Sequence, residues 1–375
     1  MYIRFDKGPT GQPAGFDRPQ RLIRADRAEA VPAALKALDT ALSQGHWIAG
    51  YASYELGYAL EPCLQDLMPS GRRLPLLCFG VYAAPEAAAD LPRGACSLGA
   101  FRPDWDAARY AGAFARVRDW IGAGDIYQTN LTFPLRAEMS GDLRALYAAL
   151  AERQPVAHAA LIEQDIGPAI LSRSPELFFR LDGTGRIVTR PMKGTAPRGA
   201  TADEDRSLRS TLEGDEKNRA ENLMIVDLLR NDLSRLAAPG SVRVPELFKV
   251  ETYETVHQMV SRVEAQLEAP AALPALMEAL FPCGSITGAP KIAAMQAIHR
   301  LEGWERGAYC GAIGWAAPDG RADFNVAIRT LTISGHGRAR MGVGGGIVHD
   351  SACESEYEEA LWKARFVTGL IPRSA

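Results

Sequence analysis

The chain has 375 residues, of which 47% are hydrophobic and 23% charged, values of a globular protein long enough to bury a large core in one domain or two. Its net charge of -3 comes without a basic block, which argues against a nucleic-acid partner, and no apolar run is long enough to span a bilayer. The opening Met1-Tyr2-Ile3-Arg4 lacks the apolar core of a secretion signal, and six cysteines without C-x-x-C spacing suggest neither zinc nor a disulfide framework; a reduced, cytoplasmic setting is expected.

In chain order, residues 47–55 and 74–82 read as buried strands. They make 1–100 a strand-rich N-terminal part of the same globular unit, with 101–375 as the core that carries the chemistry. After Asp106, Tyr110, Phe114, Val117 and Ile121 recur at helical spacing, and the glycines at 122 and 124 end the helix. A second helix carries Leu143, Leu146 and Leu150 on one face and stops at Pro155. Further helices are expected from about 215 to 235, 291 to 301 and 354 to about 370. Strand-like segments fill 158–163, 168–180, 185–193, 241–265, 308–316, 324–334 and 338–343. Strands and helices do not alternate regularly, so an α+β fold is expected rather than a doubly wound sheet.

The final helix is informative by spacing alone. Ser351 and Glu354 form a capping-box pattern, and Glu356, Glu359 and Lys363 then fall on one face. A solvated surface ladder would show the same stripe. Glu221 shares the apolar stripe of its own helix with Met224, Ile225 and Leu228. A carboxylate placed there must be paired or ligate a metal. Oxygen ligands from two separate helices suit Mg²⁺, whereas an arginine partner is the structural alternative. The turn Ser285-Ile286-Thr287-Gly288 precedes Pro290 and a helix start, a place where backbone N–H groups cradle a carboxylate. Gly344-Gly345-Gly346 permits close approach to a ligand, or is a bulged strand end. Neither glycine segment has the spacing of a nucleotide-binding loop. Lys193, in Arg190-Pro191-Met192-Lys193-Gly194-Thr195, ends an extended stretch amid these blocks.

From about residue 104 onward the chain resembles the chorismate-utilising enzymes. The blocks Ile225-Val226-Asp227-Leu228-Leu229-Arg230-Asn231-Asp232-Leu233 and Gly284-Ser285-Ile286-Thr287-Gly288-Ala289-Pro290-Lys291 carry the resemblance. It implies two large, mostly antiparallel sheets packed as a sandwich with flanking helices. It also implies that Glu221, Glu356 and Glu359 hold Mg²⁺ against the ring carboxylate of chorismate, with Lys363 nearby. Arg329, Tyr309 and the backbone of Gly344, Gly345 and Gly346 would take the enolpyruvyl carboxylate. Thr287 and Gly288, together with Gly194 and Thr195 beside the lysine, are further expected substrate contacts. Glu176, in Ser174-Pro175-Glu176, matches the general acid that protonates the C4 hydroxyl.

Two positions separate the branches of this family. Where isochorismate and salicylate synthases carry a lysine that activates water, this chain has Gln128. Where anthranilate synthases usually have alanine, it has Lys193. The pair resembles the aminodeoxychorismate synthases, in which the lysine attacks C2 and ammonia then adds at C4. An amine can attack only when some of it is neutral, which desolvation favours. Ammonia would come from a separate glutaminase (amidotransferase) subunit. A component of anthranilate synthase is the enzymatic alternative, and a chorismate-binding regulator the non-enzymatic one. One departure is recorded: the family's catalytic histidine falls at Gln258, with His257 one residue early, so His257 is either catalytic or a packing residue.

Overall fold

The strands His158–Glu163 and Ala169–Ser174 are buried at most positions because both of their faces are covered. Ala159 and Leu161 pack outward, in a cluster that includes helical Leu146 and Leu150. Ala160 and Ile162 pack inward against Tyr51, Ile313 and Trp315 of a second sheet. The computed structural model describes residues 1–253, 256–269 and 272–368. Among these, an eleven-stranded and a ten-stranded sheet lie face to face, and helices cover their outer surfaces. The expected α+β sandwich of two large antiparallel sheets is borne out.

The first sheet runs Gly288–Ala289, Gln128–Gly141, Arg338–Ile347, Thr330–Ile333, Ala169–Ser174, His158–Glu163, Tyr2–Phe5, Ala14–Phe16, Glu86–Ala87. The second runs Met192–Pro197, Val256–Gln266, Arg186–Arg190, Leu177–Asp182, Arg321–Val326, Ala312–Ala316, Trp47–Ala52, Leu77–Tyr82, Arg21–Ala25. Residues 1–87 thus add strands to one edge of each sheet, and Cys96–Leu98 pairs with Gln128–Gly141 near the other end of the first. The opposite ends bring together the segments rich in unusual residues.

Several segments differ from the sequence expectation. The stretch 168–180 is two strands, one in each sheet, because Ser174-Pro175-Glu176 carries the chain across the sandwich. The stretch 241–265 is likewise two strands, Arg243–Thr252 and Val256–Gln266, paired with each other. Helices Val31–Ser43, Ala202–Gly214 and Leu273–Leu280 were not anticipated. The second of these buries Leu212 alone, so it has no apolar stripe to read. The last α-helix is Cys353–Trp362, and residues from 369 onward lie outside the described ones. Among the described residues no helix is long and apolar enough to cross a membrane.

Candidate active site

Lys193 lies in a bulge of the edge strand Met192–Pro197. Met192 pairs with Val260 and Thr195 with Gln258, so three steps on this strand match two on its neighbour. Gly194 absorbs the extra residue at φ 86°, a left-handed conformation that glycine adopts freely. A Cβ there would also meet Asn218 of the helix Glu216–Ser234 at 2.9 Å. The bulge places Lys193 on the wall of a cavity of about 560 Å³ between the ends of the two sheets, within the size range of small-molecule sites.

Glu176 reaches the same cavity from the crossover between the sheets. It is 4% exposed, and the Ser285 hydroxyl donates to its Oε1 at 2.6 Å. Burial pushes its carboxyl up to about 7, against the opposing pull of Ser285, Lys193 and Arg329. At neutral pH much of it keeps its proton, the state a general acid needs. Arg329 also lines the cavity, and among the described residues no carboxylate pairs with it. Burial pulls its guanidinium down to about 10, Glu176 partly opposing, so it stays charged at neutral pH. Tyr309 stacks on Trp304 at 6.1 Å between ring centroids. Burial holds its hydroxyl well above the ordinary phenol range, which keeps it a neutral donor.

The remaining wall is acidic. Glu221 comes from Glu216–Ser234, whose first turn Asp215 caps by accepting the Asn218 N–H. Glu356 and Glu359 come from Cys353–Trp362, with Lys363 just past its end. Burial pushes the Glu221 carboxyl up, and the nearby Glu356 and Glu359 charges add to this. Glu359 is pulled down chiefly by Lys363, 2.8 Å away, which also donates to the Gly344 carbonyl at 2.9 Å. The Lys217 ammonium stands 3.9 Å from Glu221 and 3.7 Å from Glu356, so a cation already occupies the space between these two carboxylates. Among the described residues no three acidic, histidine or cysteine side chains converge as a preformed metal cage. Carboxylate oxygens are the donor class taken by an ion such as Mg²⁺, which retains water and completes its shell on an anionic ligand.

The capping box expected at Ser351 does not form. The N-cap is Ala352, and the Ser351 hydroxyl instead donates to Glu356 Oε1 at 2.7 Å, fixing that carboxylate. His257 is also corrected. It faces away from the cavity, its ring held between Thr252 (2.9 Å) and Asp205 (3.0 Å), because one step along a strand reverses the side chain. Gln258 faces the cavity instead, accepting from the Thr195 hydroxyl at 2.8 Å and donating to the Gly194 carbonyl at 2.7 Å. Thr287 and Gly288 do not line the cavity. The Thr287 hydroxyl turns back to the Cys283 carbonyl, and Gly288 pairs with Thr129. The turn's N–H groups at Ile286 and Thr287 bond to the Cys283 and Gly284 carbonyls, so they form no open cradle. Gln128 is buried behind the lining, while Gly194, Thr195, Gly344, Gly345 and Gly346 belong to it.

Lys217 and Asn130 line the cavity without having been singled out from the sequence, and Ser285, read there only as part of a backbone cradle, lines it through the hydroxyl that holds Glu176. Lys217 precedes Glu221 by one helical turn, and Asn130 follows Gln128 on the same strand face, so both had a spacing signal. Part of each sequence block has a structural task. Lys291 Nζ donates to Asp232 at 2.7 Å and to the Leu280 carbonyl at 3.1 Å, tying three helices together outside the cavity.

Residues 87–369 match the family model described as chorismate binding enzyme. Over 254 residues the chain is 44% identical to aminodeoxychorismate synthase component 1 of Salmonella typhimurium, covering 68% of this chain and 55% of that protein. Over 288 residues it is 46% identical to the aminodeoxychorismate synthase of Streptomyces griseus, covering 76% of this chain and 39% of the relative. The matched stretch thus spans about half or less of these relatives. Anthranilate synthase component I from Streptococcus pneumoniae superimposes with a TM-score of 0.77 at 27% identity, over 97% of this chain and 89% of that one.

Proposed function

Because the chain belongs to the chorismate-binding enzymes, we propose that its cavity takes chorismate and that the chain is the aminating component of an aminodeoxychorismate synthase. The observation that carries this reading is Lys193 lying in one cavity with Glu176, Glu221 and Arg329.

Arg329 and Tyr309 take the enolpyruvyl carboxylate, and Lys363 lies toward the ring carboxylate. Lys193, as a neutral amine, forms a bond to C2. The ring diene shifts, the C4–O bond breaks, and the Glu176 proton turns the leaving hydroxide into water. Glu176 then takes the proton shed by the Lys193 adduct. Ammonia next forms a bond to C4, the diene shifts back, and the C2–N bond to Lys193 breaks. Glu176 returns a proton to the departing amine and recovers one from the new amino group. The net change is chorismate plus ammonia to 4-amino-4-deoxychorismate plus water. Mg²⁺ held by Glu221, Glu356 and Glu359 would neutralise the ring carboxylate during these steps.

The component 1 relatives imply a second component. We assign it the release of ammonia from glutamine. The product would pass to a lyase that yields 4-aminobenzoate for folate synthesis, in the cytoplasm. The test is mass spectrometry of the product formed by the purified chain from chorismate, ammonium and Mg²⁺. The expected product is 4-amino-4-deoxychorismate; anthranilate or isochorismate in its place would overturn the assignment.

A further inference from the structure

Gln128 and Asn130 carry an unmet demand. They lie two residues apart on the strand Gln128–Gly141 and so share one face. Gln128 is 1% exposed and Asn130 is 7% exposed. Neither amide atom of Gln128, nor Oδ1 of Asn130, has a hydrogen-bond partner among the described residues. Buried polar atoms in folded proteins are almost always paired, so three orphans in one place point to a group that arrives or moves.

That group stands beside them. Asn130 pairs in register with Gly346. A Cβ on Gly346 would fall 2.6 Å from Gln128 Nε2, 3.0 Å from Lys193 Nζ and 3.1 Å from Asn130 Oδ1. The two amides and the amine therefore converge over the bare Cα of one glycine. Lys193 itself makes no hydrogen bond or ion pair with a described residue.

We propose that Gln128 and Asn130 are positioning residues for Lys193, their amide oxygens accepting N–H bonds from its side-chain nitrogen and aiming that nitrogen into the cavity. This rests on Lys193 being the nucleophile of the proposed reaction. An amide oxygen suits the task because it accepts a hydrogen bond without being basic, whereas a carboxylate would hold the amine as an ammonium. The Gln128 amide can turn over to present Oε1 without breaking any bond, since neither of its atoms is engaged. Asn130 is oriented by its other atom, Nδ2, which donates to the Ser285 carbonyl at 3.3 Å. The hydroxyl of that same Ser285 holds Glu176. One serine thus sets the acid directly and the nucleophile through Asn130.

A double-mutant cycle tests this. Asn130→Ala should lower kcat for C4 amination about 10-fold or more while leaving KM for chorismate within about 3-fold, and the loss should vanish in a Lys193→Ala background. Gly346→Ala keeps both amides but places a methyl at their meeting point, and should also lower kcat. Labelling with trinitrobenzenesulfonate, read by peptide mass spectrometry without chorismate, gives a measure independent of turnover. Lys193 should react several-fold faster in Asn130→Ala, once its amine is released, with Lys217 unchanged. If Asn130→Ala costs its full factor again on top of Lys193→Ala, or Lys193 labelling does not change, the positioning role is overturned while the nucleophile stands. Wild-type turnover by Lys193→Ala would overturn the nucleophile, and the positioning role with it.

Discussion

Ser285 donates its hydroxyl to Glu176 Oε1 at 2.6 Å, so a residue of the turn before Pro290 grips the acid that lies in the crossover between the sheets. The bond favours the ionised carboxyl, yet burial outweighs it and leaves the group titrating near 7. A hydrogen bond orients the acid here, and desolvation sets its proton affinity.

A pH dependence follows from that balance. The protonated form of Glu176 is the active one, so kcat/KM for chorismate should fall as pH rises through about 7. Ser285→Ala removes a contact that favours ionisation and should move the midpoint upward; Glu176→Gln should abolish the limb together with most activity. Stability follows the same sign. The folded carboxyl binds protons more tightly than the ordinary 4.5, so its contribution declines as pH rises between that value and about 7. A kcat/KM profile flat from about pH 6 to 9 would remove Glu176 as the acid.

Lys193→Ala should reduce formation of 4-amino-4-deoxychorismate by about 10²-fold or more, the scale of a group that acts in the reaction itself. Space opened beside C2 would also let ammonia attack there, so traces of a 2-amino product are expected. Product analysis of the variant checks both outcomes. Undiminished turnover would take Lys193 out of the mechanism.

Glu359→Ala should lose most activity with an unchanged unfolding midpoint, because its side chain is half exposed and its pairing with Lys363 is local. The Mg²⁺ concentration for half-maximal rate should rise. Mg²⁺ titration of the unliganded protein by calorimetry supplies a second measure, with weaker binding expected in the variant. Unchanged Mg²⁺ dependence would return the final-helix stripe to a surface role.

Much of this site was legible because its residues are costly where they stand. A carboxylate on the apolar stripe of Glu216–Ser234, or two carboxylates and an amine on one helical face, asks for a partner, and the spacing says which side they share. The Ser174-Pro175-Glu176 crossover was not legible, since only Pro175 and Glu176 part the two strands, a break too short to read as a change of sheet. Thr287 and Gly288 were misplaced for a related reason: a turn ahead of a helix looks like an open cradle until its N–H groups are seen bonded within it. Asn130 needed the register with Gly346, which only the folded sheet supplies.

His257 and Gln258 give the sharpest contrast between neighbours. His257 is buried on the far face of its strand, its ring bonded to Thr252 and Asp205 rather than to any residue that lines the cavity. His257→Ala should therefore lower the unfolding midpoint by about 2–4 °C or more, while kcat/KM per folded molecule stays within about 3-fold. Gln258 bonds Thr195 and the Gly194 carbonyl, and so steadies the bulge that aims Lys193. Gln258→Ala should lower kcat more than it raises KM, with a smaller change in midpoint, because a free amine has more orientations to search. Calorimetric scans and initial rates on both variants decide the matter. Should His257→Ala lose turnover at an unchanged midpoint, the histidine would regain a catalytic role that its present bonds deny it.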